Sequence, residues 1–157
     1  MRYTLLLPLL AVSLGAQPAP KLAIVGDVAA PLTMDLSGLP RQTATLLDEK
    51  TNRRVPYEGV PLEEILKKAN LPLGKDLRGK ALAIYLLAEA KDGYQVVFSL
   101  GELDPSLSGA KVIVADRREG QPLSDYEGPL RLVVDGDKRP ARSVRMLEKI
   151  EIVRLRK

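Results

Sequence analysis

Cysteine and histidine are both absent from this 157-residue sequence, so any chemistry must come from other side chains. Without cysteine there is no disulfide, no thiolate metal ligand and no thiol nucleophile. Without histidine the commonest general base and the commonest metal ligand are missing. We therefore expect no zinc, copper or haem site of the usual kinds. Carboxylate sites for Ca²⁺ or Mg²⁺ stay open, although no spacing typical of an EF-hand calcium loop is present. No metal ligand is predicted.

The remaining nucleophiles and carboxylates form no recognisable catalytic set. Serines lie in predicted turns or loops without a histidine to act as a base. Glu63 and Glu64 are close in sequence, as are Asp135 and Asp137, but nothing indicates that either pair converges on one substrate atom. We therefore name no catalytic residue.

Positive charge is concentrated near the C-terminus. Residues 138–157 contain eight basic and two acidic residues, a net charge of +6, although the whole chain carries only +4. Guanidinium groups bind phosphate bidentately and stay charged. The segment is therefore interpreted either as the solvated face of a terminal strand or as an anion-binding rim. Nucleic acid is not expected as a partner, because no aromatic residues interleave with these charges.

Residues 1–19 have the pattern of a secretion signal. Arg2 gives a positive start, residues 5–14 form an apolar run, and small residues suited to cleavage follow at Ala16 and Ala19. The run is well short of the roughly 20 residues that a transmembrane helix needs, so no membrane span is expected after cleavage. No twin-arginine pair precedes the run, which favours export of an unfolded chain. The predicted location is periplasmic or secreted.

Strands are the main elements that must position the arginines. Alternating or continuous apolar runs predict strands at residues 21–28, 31–36, 42–47, 55–60, 81–88, 94–98, 111–115, 130–134 and 144–155. A polar loop is expected at 116–128, and Asp92-Gly93 indicates the turn of a hairpin. One short helical turn is expected at 100–103.

One firm helix is predicted near residues 61–69. Leu62, Ile65 and Leu66 recur at helical spacing, and Pro61 suits the first helical position. Acidic residues in the first turn and lysines in the last match the helix dipole. The fold class predicted for residues 20–157 is α+β, one domain built mostly of mixed β-sheet.

Five motifs follow one another between residues 22 and 155. They are GDVxxPL at 26–32, GVPLxxIL at 59–66, DGYxxxFSLxEL at 92–103, GQPLxxxxGPLRLVV at 120–134 and SVRMLxxIEI at 143–152. Each is short, but their order along the chain resembles that of the molybdopterin-binding domain of the sulfite oxidase family. The resemblance implies the fold of that domain over nearly all of the predicted mature chain.

The resemblance also implies a set of cofactor-binding candidates. It aligns Tyr94 with a hairpin tyrosine near the family's active site, and Arg53 with a loop that approaches the metal. Arg142 and Arg145 match positions where the family presents basic residues toward the pyranopterin and its phosphate. Arg131, on a predicted buried strand, is interpreted as pointing into a cleft. The alternatives are a core tyrosine for Tyr94, a structural ion pair for Arg131, and solvated surface or a polar turn for the other arginines.

The sequence departs from the family at the metal ligand. Family enzymes place a molybdenum-binding cysteine shortly after the strand predicted at 42–47, where this chain has Leu47, Asp48 and Glu49. A carboxylate is a hard oxygen donor and does not reproduce a thiolate bond. The aromatic and glycine residues that usually follow RLVV are replaced by residues 135–140. The family's cofactors are generally loaded before folded export, so the missing twin-arginine signal is consistent with a chain without the metal.

These observations predict an exported, non-catalytic binding or interaction module with a basic pocket for an anion such as a pterin phosphate. The expected partner is an anionic small molecule or an exported protein. No cofactor is expected, and molybdopterin is the one that the resemblance would allow. Two alternatives stay open: a molybdopterin-dependent oxidoreductase or a subunit of one, and a structural accessory of a larger exported complex.

Overall fold

Short apolar and alternating segments form ten strands and two helices in residues 19–155, the part of the chain that the computed structural model describes. The strands are β1 (Lys21–Gly26), β2 (Leu32–Asp35), β3 (Gln42–Asp48), β4 (Arg53–Pro61), β5 (Ile84–Ala90), β6 (Gln95–Ser99), β7 (Val112–Arg118), β8 (Gln121–Pro122), β9 (Arg131–Val134) and β10 (Leu147–Arg154). The helices are α1 (Leu62–Lys68) and α2 (Leu100–Leu103), with short 3-10 turns at Gly74–Asp76, Gly79–Ala83 and Pro140–Arg142.

The first sheet is mixed and has the order β2-β1-β10-β5-β6. β1 and β10 pair in parallel, and the other neighbours are antiparallel. Alternate side chains such as Leu22, Leu86 and Ile150 are buried on one face, as expected when successive side chains point to opposite sides of a strand. The strand nearest the C-terminus therefore lies in the middle of this sheet.

The second sheet has the order β3-β4-β7-β8, with β9 paired to the same edge of β7 as β8 but farther along it. β7 and β9 are buried on both faces. Leu132 and Val134 pack into the main core between the sheets, whereas Val133 packs into a smaller apolar cluster that contains Val55 and Tyr57. Alternation along β9 places Arg131 on the same face as Val133, toward this smaller cluster.

α1 packs its buried face, which includes Leu62, Ile65 and Leu66, into the main core. The prediction that Pro61 occupies the first helical position is wrong by one residue. Pro61 is the N-cap, because it still pairs with Ile113 of β7 as the last residue of β4. Acidic residues lie in the first turn of α1 and lysines in the last, as predicted.

The α+β class, the mixed sheet and the main helix are confirmed, but three predicted bounds are corrected. The strand predicted at 81–88 begins at Ile84, because Gly79–Ala83 forms a 3-10 turn. The predicted loop 116–128 contains the end of β7 and all of β8, where polar residues pair at a sheet edge. The terminal strand begins at Leu147 rather than at 144.

The predicted secretion signal, apart from Ala19, lies outside the described residues. Within residues 19–155 no helix has the length and hydrophobicity needed to cross a membrane.

Candidate functional site

Two adjoining cavities of about 430 and 340 Å³ lie beside the smaller apolar cluster of the second sheet. We call them together the cleft. Both are lined by Glu49, Glu127, Arg131, Pro140 and Arg145. The larger cavity extends toward the hairpin turn before β6, and the smaller one toward the connection between β3 and β4. The cleft therefore collects side chains from segments that are distant in sequence.

The floor of the cleft is a buried polar cluster of Tyr57, Glu127 and Arg131, with exposed fractions of 3%, 6% and 8%. The Tyr57 hydroxyl donates to Glu127 Oε1 at 2.8 Å, and Arg131 Nη1 donates to the Tyr57 hydroxyl at 3.0 Å. Arg131 Nη1 also forms an ion pair with Glu127 Oε1. Buried charges are tolerated when they are paired and hydrogen-bonded in this way.

A second arginine holds Glu127 from the other side. Arg118 Nη1 lies 3.3 Å from Glu127 Oε2, and its Nη2 lies 3.6 Å from Asp48 Oδ2. Both carboxylate oxygens of Glu127 are thus engaged by arginines. The Arg131 guanidinium also lies over the Tyr57 ring, 5.0 Å from its centroid, an arrangement typical of a cation–π contact.

The cluster shifts the protonation equilibria of its acidic members in opposite directions. Burial raises the pKa of Glu127, but the hydrogen bond from Tyr57 and the charges of Arg131 and Arg118 outweigh it, so the pKa is lowered. Burial raises the pKa of Tyr57 to about 12, and the hydrogen bond to Glu127 adds to this. At neutral pH the floor therefore contains a carboxylate and a neutral phenol.

One donor in the floor has no partner. The Nε atom of Arg131 is buried and makes no hydrogen bond within the described residues. Most buried polar groups in proteins are hydrogen-bonded, to protein atoms or to a bound molecule. This N–H is therefore a donor that a ligand or an ordered water could satisfy.

The rim of the cleft carries an arginine that is not neutralised. Arg145 lies over the Tyr126 ring, 4.1 Å from its centroid, and forms no ion pair within residues 19–155. By contrast, Arg139 Nε lies 3.8 Å from Glu49 Oε1. Lys50 is also exposed, lines the smaller cavity and forms no ion pair in the described part of the chain, so Arg145 and Lys50 are both cations that an incoming anion could meet.

Three of the five predicted cofactor-binding residues line the cleft: Tyr94, Arg131 and Arg145. Tyr94 is about half exposed, and its hydroxyl donates to the Ala141 carbonyl at 2.7 Å. Arg53 lies outside the cleft lining; its side chain is 71% exposed and lies 3.7 Å from Glu119.

Arg142 also lies outside the cleft lining. It donates two hydrogen bonds to Asp137, at 2.8 and 2.9 Å, and one to Glu102 at 3.0 Å. Its guanidinium lies over the Phe98 ring. The Arg142 side chain is therefore held by two carboxylates of this protein.

Sequence reasoning missed Tyr57, Glu127 and Arg118. The sequence allows a structural ion pair for Arg131 but does not identify its partner. The available signal was Glu127, an acidic residue just before the GPLR motif that leads into a buried strand. Tyr57 alternates with Val55 on β4, a pattern that indicates burial without indicating a hydrogen-bond partner.

The donor set of the cleft suits ionic and hydrogen-bonding contacts. Its charged lining consists of five basic residues and four acidic ones: Lys50, Arg118, Arg131, Arg139, Arg145, Asp48, Glu49, Asp92 and Glu127. Within residues 19–155 no three acidic, histidine or cysteine side chains are grouped so that they could hold a metal ion. The arrangement can orient an anion.

The chain is similar to the crystal structure of the sulfane dehydrogenase SoxCD from Paracoccus pantotrophus, with a TM-score of 0.65 and 23% sequence identity. The match covers 92% of this chain and 40% of that chain, so this protein spans about two fifths of its length. At this identity the likeness shows the fold alone.

No curated protein matches this sequence. The model of the oxidoreductase molybdopterin binding domain family matches residues 19–157. The chain therefore belongs to the oxidoreductase molybdopterin binding domain family.

Proposed function

We propose that this protein is an exported, non-catalytic member of its family that binds a small anion in the cleft. The observation that carries the proposal is the buried Nε of Arg131, a donor without a hydrogen-bond partner within residues 19–155 on a residue that lines both cavities of the cleft. Arg145, with no ion pair in the described part of the chain, adds an accessible positive charge at the rim.

The residues of the cleft do not fit the family's metal. The end of β3 and the residue after it, where the resemblance expects a cysteine, hold Leu47, Asp48 and Glu49, and all three line the cleft. Asp48 Oδ1 accepts hydrogen bonds from the backbone N–H groups of residues 50 and 51 at 2.9 and 3.2 Å. A hydrogen-bonded carboxylate is a poor replacement for a thiolate ligand of molybdenum. This donor set does not support a metal-dependent reaction.

The phosphate-bearing pterin also fits poorly. Arg142, which the resemblance assigns to the cofactor, is held by Asp137 and Glu102 instead. With five basic and four acidic side chains, the charged lining of the cleft has a formal excess of only +1. A phosphate group carries close to two negative charges at neutral pH, so this excess does not neutralise it.

Native mass spectrometry of protein purified from its own host would test for a pterin. We expect no mass beyond the polypeptide that corresponds to a pterin, and no pterin fluorescence after acid release. A pterin in near-equal amount to the protein would contradict the proposal and favour the alternative, a molybdopterin-dependent oxidoreductase.

Anion binding is tested by thermal unfolding with and without acetate at constant ionic strength. A ligand that binds only the native state raises its stability. We expect acetate to raise the unfolding temperature of the wild type but not that of Arg145→Gln. Arg117→Gln is the matched control, because Arg117 is exposed and lies outside the cleft lining. Equal shifts in all three proteins would contradict a role for Arg145.

Export is part of the proposal and is supported by the apolar run at residues 5–14 and the small residues after it. Cell fractionation with mass analysis of the N-terminus tests it. We expect the protein outside the cytoplasm, beginning shortly after Ala16 or Ala19. A cytoplasmic protein that keeps residues 1–19 would contradict export without bearing on the cleft.

A further inference from the structure

We infer that Glu127 determines the specificity of the cleft, fitting it to a singly charged carboxylate ligand and excluding phosphate dianions. The inference rests on the proposed function, since it names the class of anion that the cleft would take. It depends on how Glu127 is held, how deeply it is buried and which positive charges it leaves available.

The Glu127 carboxylate binds the guanidinium groups of Arg118 and Arg131 in the way that an external oxyanion would. Its Oε1 is bound by Arg131 Nη1 and by the Tyr57 hydroxyl, and its Oε2 lies 3.3 Å from Arg118 Nη1. Two guanidinium groups that could together bind a phosphate are therefore already engaged by one carboxylate of the same chain. A phosphate would have to compete with Glu127 for them.

The negative charge of Glu127 is fixed in place. The residue is 6% exposed, and three side chains donate hydrogen bonds to it. These contacts favour the ionised form over the neutral acid. A second negative charge brought beside it would meet repulsion that is weakly screened, because the floor is shielded from water. That repulsion grows with the charge of the ligand, so it penalises a dianion more than a monoanion.

The positive charge and the hydrogen-bond donors that Glu127 does not engage suit a ligand with a single negative charge. Arg118 and Arg131 are balanced by Glu127 and Asp48, and Arg139 by Glu49, so the whole charged lining of the cleft has a formal excess of only +1. The donors in the cleft lining that no acidic side chain engages within residues 19–155 include the ammonium group of Lys50, the Nε–H of Arg131 and the guanidinium of Arg145. A carboxylate can accept from two donors while bringing a single charge.

The Glu127→Gln variant tests the inference directly. It keeps the side-chain size and removes the charge, which frees Arg118 and Arg131. We expect its affinity for inorganic phosphate at about pH 8, where phosphate carries close to two charges, to exceed that of the wild type by about tenfold or more. Affinity would be measured from the rise in unfolding temperature over a phosphate titration at constant ionic strength.

Glu89→Gln is the matched control. Glu89 is paired with Lys149 in the first sheet and lies outside the cleft lining, so this variant changes the net charge equally. An equal gain in phosphate affinity for Glu89→Gln and Glu127→Gln would show an effect of net charge alone and would overturn the inference. No gain for a folded Glu127→Gln would also overturn it.

The wild-type protein provides a second test that does not depend on the variant folding. We expect acetate to stabilise it and phosphate at about pH 8 to give no more stabilisation than chloride at equal ionic strength. Stabilisation by phosphate equal to or greater than that by acetate would overturn the role of Glu127. A molybdenum or pterin content near one per chain would instead defeat the proposed function, so the two failures are distinguishable.

Discussion

The hydroxyl of Tyr57 joins the two charged groups at the floor of the cleft. It donates to Glu127 and accepts from Arg131, and both bonds lie in a region that is nearly closed to water. Removing one member of a buried polar cluster costs more than the bond itself, because the remaining groups stay desolvated. The stability of the floor is therefore sensitive to a single oxygen atom.

Replacing Tyr57 with phenylalanine should lower the free energy of unfolding by about 1–3 kcal/mol. The ring and its packing are kept, so the loss of unfolding free energy measures the contribution of the hydroxyl group. Urea denaturation of the variant and of Tyr85→Phe gives the comparison, because the Tyr85 hydroxyl makes no hydrogen bond within residues 19–155. Equal losses for the two variants would mean that the buried cluster contributes nothing specific.

The raised pKa of Tyr57 predicts a loss of stability at alkaline pH. Its pKa is about 12 in the folded protein, against 10.0 for the free side chain, so above pH 10 the unfolded state loses the phenolic proton first. The stabilisation that the protonated Tyr57 hydroxyl gives to the folded state is complete below about pH 10, and it is lost progressively as the pH rises to about 12. Unfolding experiments across this range should show a smaller decrease in the free energy of unfolding for Tyr57→Phe than for the wild type. An identical decrease in both proteins would contradict the raised pKa of Tyr57.

The residues of the cleft could be predicted only where their role depends on local sequence. Tyr94 follows a recognisable Asp-Gly turn, and Arg131 lies in an apolar run. Arg142 and Arg145 look equivalent in sequence, but Glu102, 40 residues away, binds only Arg142. That contact depends on where α2 is placed in the folded chain, and no local pattern encodes it.

At the scale of elements, the pairing of β4 with β7 places Tyr57 beside the cleft. The register of this pair shifts between Glu58 and Gly59, and Gly59 lies against the backbone of β7. A Cβ atom at Gly59 would lie 2.1 Å from the carbonyl oxygen of Val114 and 2.5 Å from Ala115 Cα. A glycine is needed here because the two backbones approach so closely.

Replacing Gly59 with alanine should therefore destabilise the protein by about 1–3 kcal/mol or more, since backbone atoms must move apart. Gly101→Ala is the control, because the nearest atoms to its added Cβ are side-chain carbons at 3.7 and 3.8 Å and the residue lies in α2. Alanine there should be neutral or slightly stabilising. Thermal unfolding of both variants checks the contrast, and a tolerated Gly59→Ala would contradict the close packing of β4 on β7.

Helical spacing and apolar alternation were enough to predict most elements, because both patterns follow from burial of one face. They failed at the polar edge of the second sheet, where Arg117 and Arg118 pair with β8 through backbone groups. Strand pairing joins residues far apart in sequence, so the central place of β10 in the first sheet could not be derived from apolar patterns.

At the scale of the whole molecule, the basic C-terminal segment is divided among different surfaces. Arg139 and Arg145 line the cleft, whereas Lys149 pairs with Glu89 in the first sheet and Arg154 donates to the Asp27 carbonyl at 3.0 Å. The net charge of +6 in residues 138–157 therefore overstates the positive charge that a ligand in the cleft would meet. This distribution supports a site for a small anion rather than for a large phosphate-bearing cofactor.

Molybdenum content is the most direct test of the account. The wild type and an Asp48→Cys variant would be produced in molybdate-supplied cells through their native export route, and the metal would be measured per polypeptide. We expect well below one molybdenum atom per ten wild-type chains, because no thiolate is available to hold it. Near-stoichiometric molybdenum in the wild type, retained through purification, would contradict the account whatever the variant contains.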